Sequence, residues 1–242
     1  MKKFELTTDF IIFCGIKLFR IRALIEFSDV KAGEVGGYIE KEKNLSQLGE
    51  AWISGNAKVF GNALVSGNTW ISGNATVSGN ATVSGNAKVF GNALVSGNTW
   101  ISGNAKVSGN ATVSGNAKVS GNAWVSDNAK VSDKVWIFDN AEVFDNAEVF
   151  GNTWISGDAE VSGNAEVSGD ADYTTIKGFG KTCRTTTFFR EKDRIAVRCG
   201  CFYGGLDDFR EKVKETYKDN KKGKEYLMIA DLMKYHFEKE EE

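Results

Sequence analysis

One beat governs the middle of the chain: from Ile53 to Val167 every sixth residue is Val or Ile, over twenty hexads without an insertion. Two positions before each stands Ala, replaced by Thr69, Thr99, Thr153 and Val135. Side chains alternate along extended backbone, so residues i and i−2 share a face. Here that face is small or β-branched throughout, and the residue between them (Trp, Lys, Leu, Thr or Glu) points outward. Gly-Asn then interrupts each short strand, the pair best suited to left-handed and tight backbone angles. The chain therefore turns a corner at every hexad.

Hairpins would need strands of variable length and a way to end the sheet. A strict period of six, in a chain with 27 Gly and no Pro, suits a coil that stacks each strand on the one below. This predicts a β-solenoid. Ordering one hexad costs roughly 6 to 12 kcal/mol of backbone entropy, and burying one Val returns only about 1.5 to 3 kcal/mol. Stability must come from bonding and packing between coils, and both end coils must be covered to hide their open edges. Aromatic and long charged residues gather at the two ends of the sequence, where caps are needed. The expected organisation is an N-terminal β cap and first coil over 1–50, repeats over 51–172, and a C-terminal α+β domain over 173–242.

At the amino end, GIKLFRIRALIEF alternates as a strand does, and the Gly residues after it mark turns. At the carboxyl end, Thr185 to Arg190 and Arg194 to Cys201 read as a hairpin around Glu191-Lys192-Asp193. Two helices follow. Asp207 or Asp208 is placed to cap the first, which carries Phe209, Val213 and Tyr217, and the second carries a stripe of Tyr226, Ile229, Ala230, Met233 and Phe237.

The repeat spacing resembles the hexapeptide-repeat family. The segments Asp29-Val-Lys-Ala-Gly, Gly36-Gly37-Tyr38, Asn44-Leu-Ser-Gln and Trp52-Ile53 resemble the opening of its YdcK-like members in enteric bacteria and phages. The resemblance implies a single-stranded, left-handed, triangular β-helix with three hexads to a turn, in a mainly β chain. Twenty hexads then make about 6.7 turns, a column about 30 Å long at roughly 4.8 Å between strands. The small ββαα unit at the end resembles terminal modules of other phage and Firmicutes repeat proteins. Neither resemblance brings a reaction with it, although the family is called transferase-like by fold.

Hexapeptide acyltransferases use a His base beside an acyl-CoA groove. This chain has one His, His236 on the last helix, and its repeats have no His and no looped-out insertion. No catalytic residue is expected. Cys183, Cys199, Cys201 and His236 could in principle bind zinc, but their spacing matches no recognised knuckle, and Cys-x-Cys on one strand would put both sulfurs on one core face. No metal or other cofactor is expected. Four Cys are too few and too clustered for a disulfide framework. No segment approaches the roughly 18 apolar residues of a membrane span, and Met1 to Phe13 lacks a signal-peptide core, so the reading is cytoplasmic with no membrane partner.

The stretch from Ser54 to Ala75 returns letter for letter from Ser84 to Ala105. That shift is five hexads, not a multiple of three, so the two copies fall on different faces. The duplication lengthens the rod and scrambles any constellation of surface residues. Charge is more informative: residues 51–126 hold four Lys and no acid, whereas 127–172 hold two Lys and eleven acids. With three hexads to a turn, Glu142 stacks on Glu160 and Glu148 on Glu166, like charges that must be offset. A basic surface containing Arg184, Arg190, Arg194 and Arg198 lies just beyond.

Trp136 and Trp154 share one face on adjacent coils, Trp52 and Trp70 another, and Phe138, Phe144 and Phe150 sit at corners. Exposed aromatics beside Glu142, Glu148, Glu160 and Glu166 form a candidate protein-binding surface. The favoured reading is a non-enzymatic interaction scaffold that binds a protein partner or its own copy. A phage-encoded counter-defence inhibitor is a sharper form of it, and the acidic half argues against direct nucleic-acid binding. The alternative is an acyltransferase-like protein that binds acetyl-CoA or another nucleotide-like ligand.

Overall fold

The computed structural model describes residues 2–238. A hairpin of β1 (Phe4–Phe13) and β2 (Ile16–Ala23) leads into β3 (Val35–Ile39). Twenty short strands follow, β4 to β23, one in each hexad from Trp52–Ile53 to Glu166–Val167. They fall on three parallel faces with seven, seven and six strands. Each strand lies in register with the strand three hexads further along the chain, as Lys88 with Lys106 and Val89 with Val107. The chain is a three-sided β-solenoid of about seven turns.

Backbone bonds run from coil to coil at every hexad. The N–H groups of Leu94, Ser96 and Asn98 donate to the carbonyls of Ala111, Val113 and Gly115 at 2.9, 2.9 and 2.7 Å. The Ala and Val positions are buried all the way along, and together they form one continuous core. Thr69 and Thr153 fit there because their hydroxyls donate to the carbonyls of Ser66 and Phe150 at 3.1 and 2.7 Å.

The corners are bonded as well. Asn74, Asn92, Asn110 and Asn128 form a column in which each side-chain amide donates to the next at 3.0 Å. Similar columns run up the other two corners, as through Asn80–Asn98 and Asn104–Asn122. The residue before each Asn takes a left-handed angle; at Gly97, with φ 74°, a Cβ would lie 2.6 Å from the Gly115 carbonyl oxygen. Asp stands at that position at 127, 133, 139 and 145, with φ between 57° and 60°. Its carboxylate offsets the strain by accepting an N–H from the coil above, from Gly151 to Asp133 at 3.1 Å and from Gly163 to Asp145 at 3.0 Å.

Both ends are covered, as the unpaired coils require. β3 continues one face through Tyr38–Lys58 and Ile39–Val59 pairs. Gly36 and Gly37 are needed here because the backbone runs against the first coil: a Cβ on Gly37 would sit 2.7 Å from the Ala57 carbonyl oxygen. Buried Asn44 donates to the Gly61 and Ala63 carbonyls at 3.2 and 2.9 Å. Gln47 accepts the Lys3 N–H at 2.7 Å, and the Lys3 ammonium donates to the carbonyls of Gly49 and Ala51 at 3.2 and 2.9 Å. Burial lowers the Lys3 pKa to about 8.

The far end carries an antiparallel sheet of β24 (Tyr173–Ile176), β25 (Thr186–Arg190), β26 (Ile195–Cys199) and β27 (Phe202–Gly205). Helices α1 (Leu206–Tyr217) and α2 (Lys221–Phe237) pack on it. The expected hairpin is its centre, with a strand added on each side. Gly200 turns the chain at φ 60°, so the second hairpin strand stops at Cys199 and the chain returns as β27. Phe189 enters the solenoid core, and the Thr187 hydroxyl accepts the Glu160 N–H at 3.0 Å. Gly205, rather than either Asp, caps α1, and Asp208 accepts the Gly205 N–H at 2.9 Å. Among the described residues no helix is long and apolar enough to cross a membrane.

Val113 is fully buried, whereas Lys118 lies on the outside. Val113→Asp should cost about 4 kcal/mol or more by burying an unpaired carboxylate, and Lys118→Ala should change stability by about 1 kcal/mol at most. Thermal unfolding followed by circular dichroism checks this; equal melting temperatures for the two variants would contradict the inside–outside assignment.

Candidate interaction surface

The outward residue of each hexad has its counterpart one coil up, three hexads further along the chain, so each face displays a column. The six-stranded face reads Leu64, Thr82, Trp100, Lys118, Trp136, Trp154 from bottom to top. The Trp136 and Trp154 rings stack with centroids 5.0 Å apart and planes 2° apart. Phe138 meets Trp154 edge-on at 6.1 Å, and the Lys118 ammonium lies 4.1 Å from the centre of the Trp136 ring. Trp100 continues the column one coil below Lys118. Stacking does not hide these rings: Trp100 is 51%, Trp136 37% and Trp154 50% exposed.

The upper end of the column is fixed by its backbone. The Trp154 N–H donates to Asp170 Oδ1 at 2.8 Å, and the Tyr173 hydroxyl donates to the Trp154 carbonyl at 2.5 Å. A rigid, flat strip of three indoles and one ammonium results. It spans roughly 14 Å at the usual spacing of stacked strands.

Of the other candidate residues only Phe138, edge-on to Trp154, borders this strip. Glu142 and Glu160 stack on a second face, and Glu148 and Glu166 on the third. Phe138, Phe144 and Phe150 occupy three different corners, since each lies one hexad, and so one face, beyond the last. The sequence-predicted set is therefore divided among all three sides of the column. Trp100 and Lys118, absent from that set, belong with Trp136 and Trp154, and the constant interval between positions 100, 118, 136 and 154 was the signal for them. Trp52 is outward by parity yet fully buried, because the amino-terminal segment closes over it with Phe27 edge-on at 5.6 Å.

The acidic ladders are partly neutralised within the chain. Arg198 pairs with Glu160 at 3.1 Å, its guanidinium 5.1 Å from the Phe144 ring, and Lys130 pairs with Glu148 at 2.7 Å. Lys177 bonds Asp158 at 2.6 Å and holds its carboxyl below the usual range. Arg190 pairs with Asp172 at 2.9 Å and donates to the Phe237 carbonyl at 2.8 Å, while Arg194 pairs with Glu191 at 2.6 Å. Of the four arginines in the expected basic surface, only Arg184 lacks a carboxylate partner among the described residues. The other three fasten the cap and its own loop.

The groups considered for chemistry lie apart. His236 is exposed beside Phe237, with ring centroids 4.9 Å apart. Cys14, Cys183 and Cys201 are exposed and Cys199 half-buried, so Cys199 and Cys201 do not share a core face; the turn at Gly200 separates them. The Thr186 hydroxyl donates to Cys199 Sγ at 3.1 Å. Among the described residues no three His, Cys, Asp or Glu side chains are grouped to hold a metal ion.

Hexads in unbroken register, with inward Ala and Val and outward columns, define a hexapeptide-repeat β-solenoid protein. The YdcK beta solenoid repeat model matches residues 57–73, 70–85, 87–103 and 105–121. Over residues 57–121 the chain is thus similar to the YdcK beta solenoid repeat, and those residues form its lower and middle coils. No curated protein matches it.

Burial, and then the Glu160 carboxylate, raise the Glu142 pKa, while Arg198 and Lys106 pull it down. The folded chain thus holds this proton more tightly than the unfolded one, and ionisation removes stability as pH rises through the folded-state value. Glu142→Gln should raise stability at pH 7 by a few tenths of a kcal/mol, and the gain should vanish below about pH 4, where the unfolded carboxyl is protonated. Melting curves across that range test this, and a gain that persists unchanged in acid would contradict it.

Proposed function

We propose that the protein is a non-enzymatic interaction scaffold that offers the strip of Trp100, Lys118, Trp136 and Trp154 to another protein chain, a second copy of itself included. The observation that carries this reading is the pair of stacked, half-exposed indoles held on rigid backbone. Aromatic side chains ordered before binding lose little entropy on contact and are the usual anchors of protein interfaces. The acidic columns are weaker candidates, because Arg198 and Lys130 already draw on them. A partner read mainly through charge, such as the target of an inhibitor that displays carboxylates in place of phosphates, would need them free.

The repeats have no His and the column has no looped-out segment beside which an acyl-CoA groove could form, which favours the scaffold over acyl transfer. Sedimentation velocity and affinity co-purification from host extract test the scaffold on wild type and on the Trp136→Ala/Trp154→Ala double variant. Self-association or a retained partner should weaken at least about 100-fold in the variant, since each lost anchor is worth about 2 kcal/mol. A wild type that is monomeric and keeps the same companions as the variant would contradict the proposal, as would consumption of acetyl-CoA above the spontaneous rate.

A further inference from the structure

A cavity lies on the C-terminal domain, away from the aromatic strip. It measures about 820 Å³, within the usual range for small-molecule sites, and opens between the loop before β25, the end of α1 and the start of α2. Lys181, Arg184, Lys221 and Lys222 line it together with Tyr217 and Asn220, and among the described residues no Asp or Glu does.

The domain leaves many of its cations unpaired, Lys192, Lys214, Lys218, Lys224 and Lys234 among the described residues included, and most of those lining the cavity are of this kind. Elsewhere in it Lys177, Arg190, Arg194, Arg198 and Arg210 each have a carboxylate within 3.1 Å. Among the described residues Lys181, Arg184 and Lys222 have no such partner, and Lys221 reaches Glu225 only at 3.7 Å. Three unpaired cations and Lys221 around one opening repel one another, and a multivalent anion between them would relieve that repulsion. Hydroxyls and an amide stand among them. The Tyr217 hydroxyl accepts the Lys181 N–H at 3.4 Å, and Asn220 Oδ1 is taken by the Gly223 N–H at 3.0 Å, which leaves its amide hydrogens for a ligand.

A second cavity of about 210 Å³ adjoins the first and shares Thr182, Arg184, Thr216 and Tyr217 with it. Phe202, Phe209, Tyr217 and Tyr226 line it with Cys199, Cys201 and Val213, and the Tyr217 and Tyr226 rings pack together with centroids 5.7 Å apart. Tyr226 is fixed by donating its hydroxyl to the Phe179 carbonyl at 3.2 Å, and burial raises its pKa to about 12, so it stays neutral. A cationic mouth that leads to a small aromatic chamber matches a ligand with phosphates at one end and a flat ring at the other.

We propose that this double cavity binds one nucleoside di- or triphosphate, with the phosphates among Lys181, Arg184, Lys221 and Lys222 and the base beside Tyr217 and Phe202. The aromatic cavity, at about 210 Å³, has room for one base, which favours a free nucleotide over a nucleic-acid strand. The site is independent of the aromatic strip on the solenoid, so either can fail without the other.

Isothermal titration of the full chain with ATP, tripolyphosphate, adenosine and an oligouridine tests the proposal. ATP should bind with a micromolar dissociation constant, and Lys181→Ala and Arg184→Ala should each weaken it about tenfold, the loss of one charge-assisted contact. Both residues are exposed, so the melting temperature should hold, and Lys192→Ala should leave binding unchanged. Tripolyphosphate should bind more weakly than ATP, and adenosine more weakly still. No heat from ATP at about 1 mM, or binding that survives both substitutions, would overturn the site. Tripolyphosphate as tight as ATP would overturn the role of the aromatic chamber, and oligouridine tighter than ATP would overturn the free nucleotide as the ligand.

Discussion

The structure depends on one repeated contact, the in-register bonding of each hexad to the hexad directly above it on the same face. The short strands would be worthless singly, since each buries one Val or Ile and one Ala. Stacked, they carry backbone hydrogen bonds to the coils above and below and, at most corners, an Asn amide bond. An intramolecular hydrogen bond contributes about 1 kcal/mol net, and these recur at every hexad. The same register keeps the Gly corners free of Cβ atoms and aligns the inward face without a gap. It also leaves the two end coils with bonding groups that no further coil can meet. Lys3, Asn44 and Gln47 at one end, and Phe189 and Thr187 at the other, take up what those coils leave open.

This register explains the surface as well as the core. Since only the middle residue of each Ala-x-Val triplet faces out, a side chain gains a like neighbour only when the sequence repeats it three hexads on. Trp136 and Trp154 form a stack by that rule, as do the two Glu pairs. The eleven acids of residues 127–172 then separate into kinds. Asp127, Asp133, Asp139 and Asp145 hold left-handed corners, and Asp158 extends an Asn column. Asp170 and Asp172 bond the turn beneath the cap. Only the four Glu residues stand in outward columns, so much of the apparent charge polarity serves the backbone and the docking of the cap.

The column, its inward residues and both caps were legible in the sequence, because a period of six leaves few ways to pair strands. The division of the candidate site was not. Position in the hexad tells whether a side chain faces out, but Phe138, Phe144 and Phe150 look adjacent in sequence and lie at separate corners. Burial of Trp52 depends on Phe27, from a segment with no periodic signature. The Asn columns were hidden for another reason: Asn reads first as a turn residue, and its amide-to-amide bond exists only once the coils are stacked. The cavity of the C-terminal domain assembles from a loop and two helix ends, whose approach no local pattern announces.

The turn of three hexads can be measured directly in solution by electron paramagnetic resonance on doubly spin-labelled protein, with the native cysteines replaced by serine. Labels at Lys88 and Lys106, which are direct neighbours on one face, should broaden each other's spectra strongly. Labels at Lys88 and Leu94, on different faces, should broaden them far less. Equal broadening in the two pairs, or its absence in the first, would contradict the three-sided column.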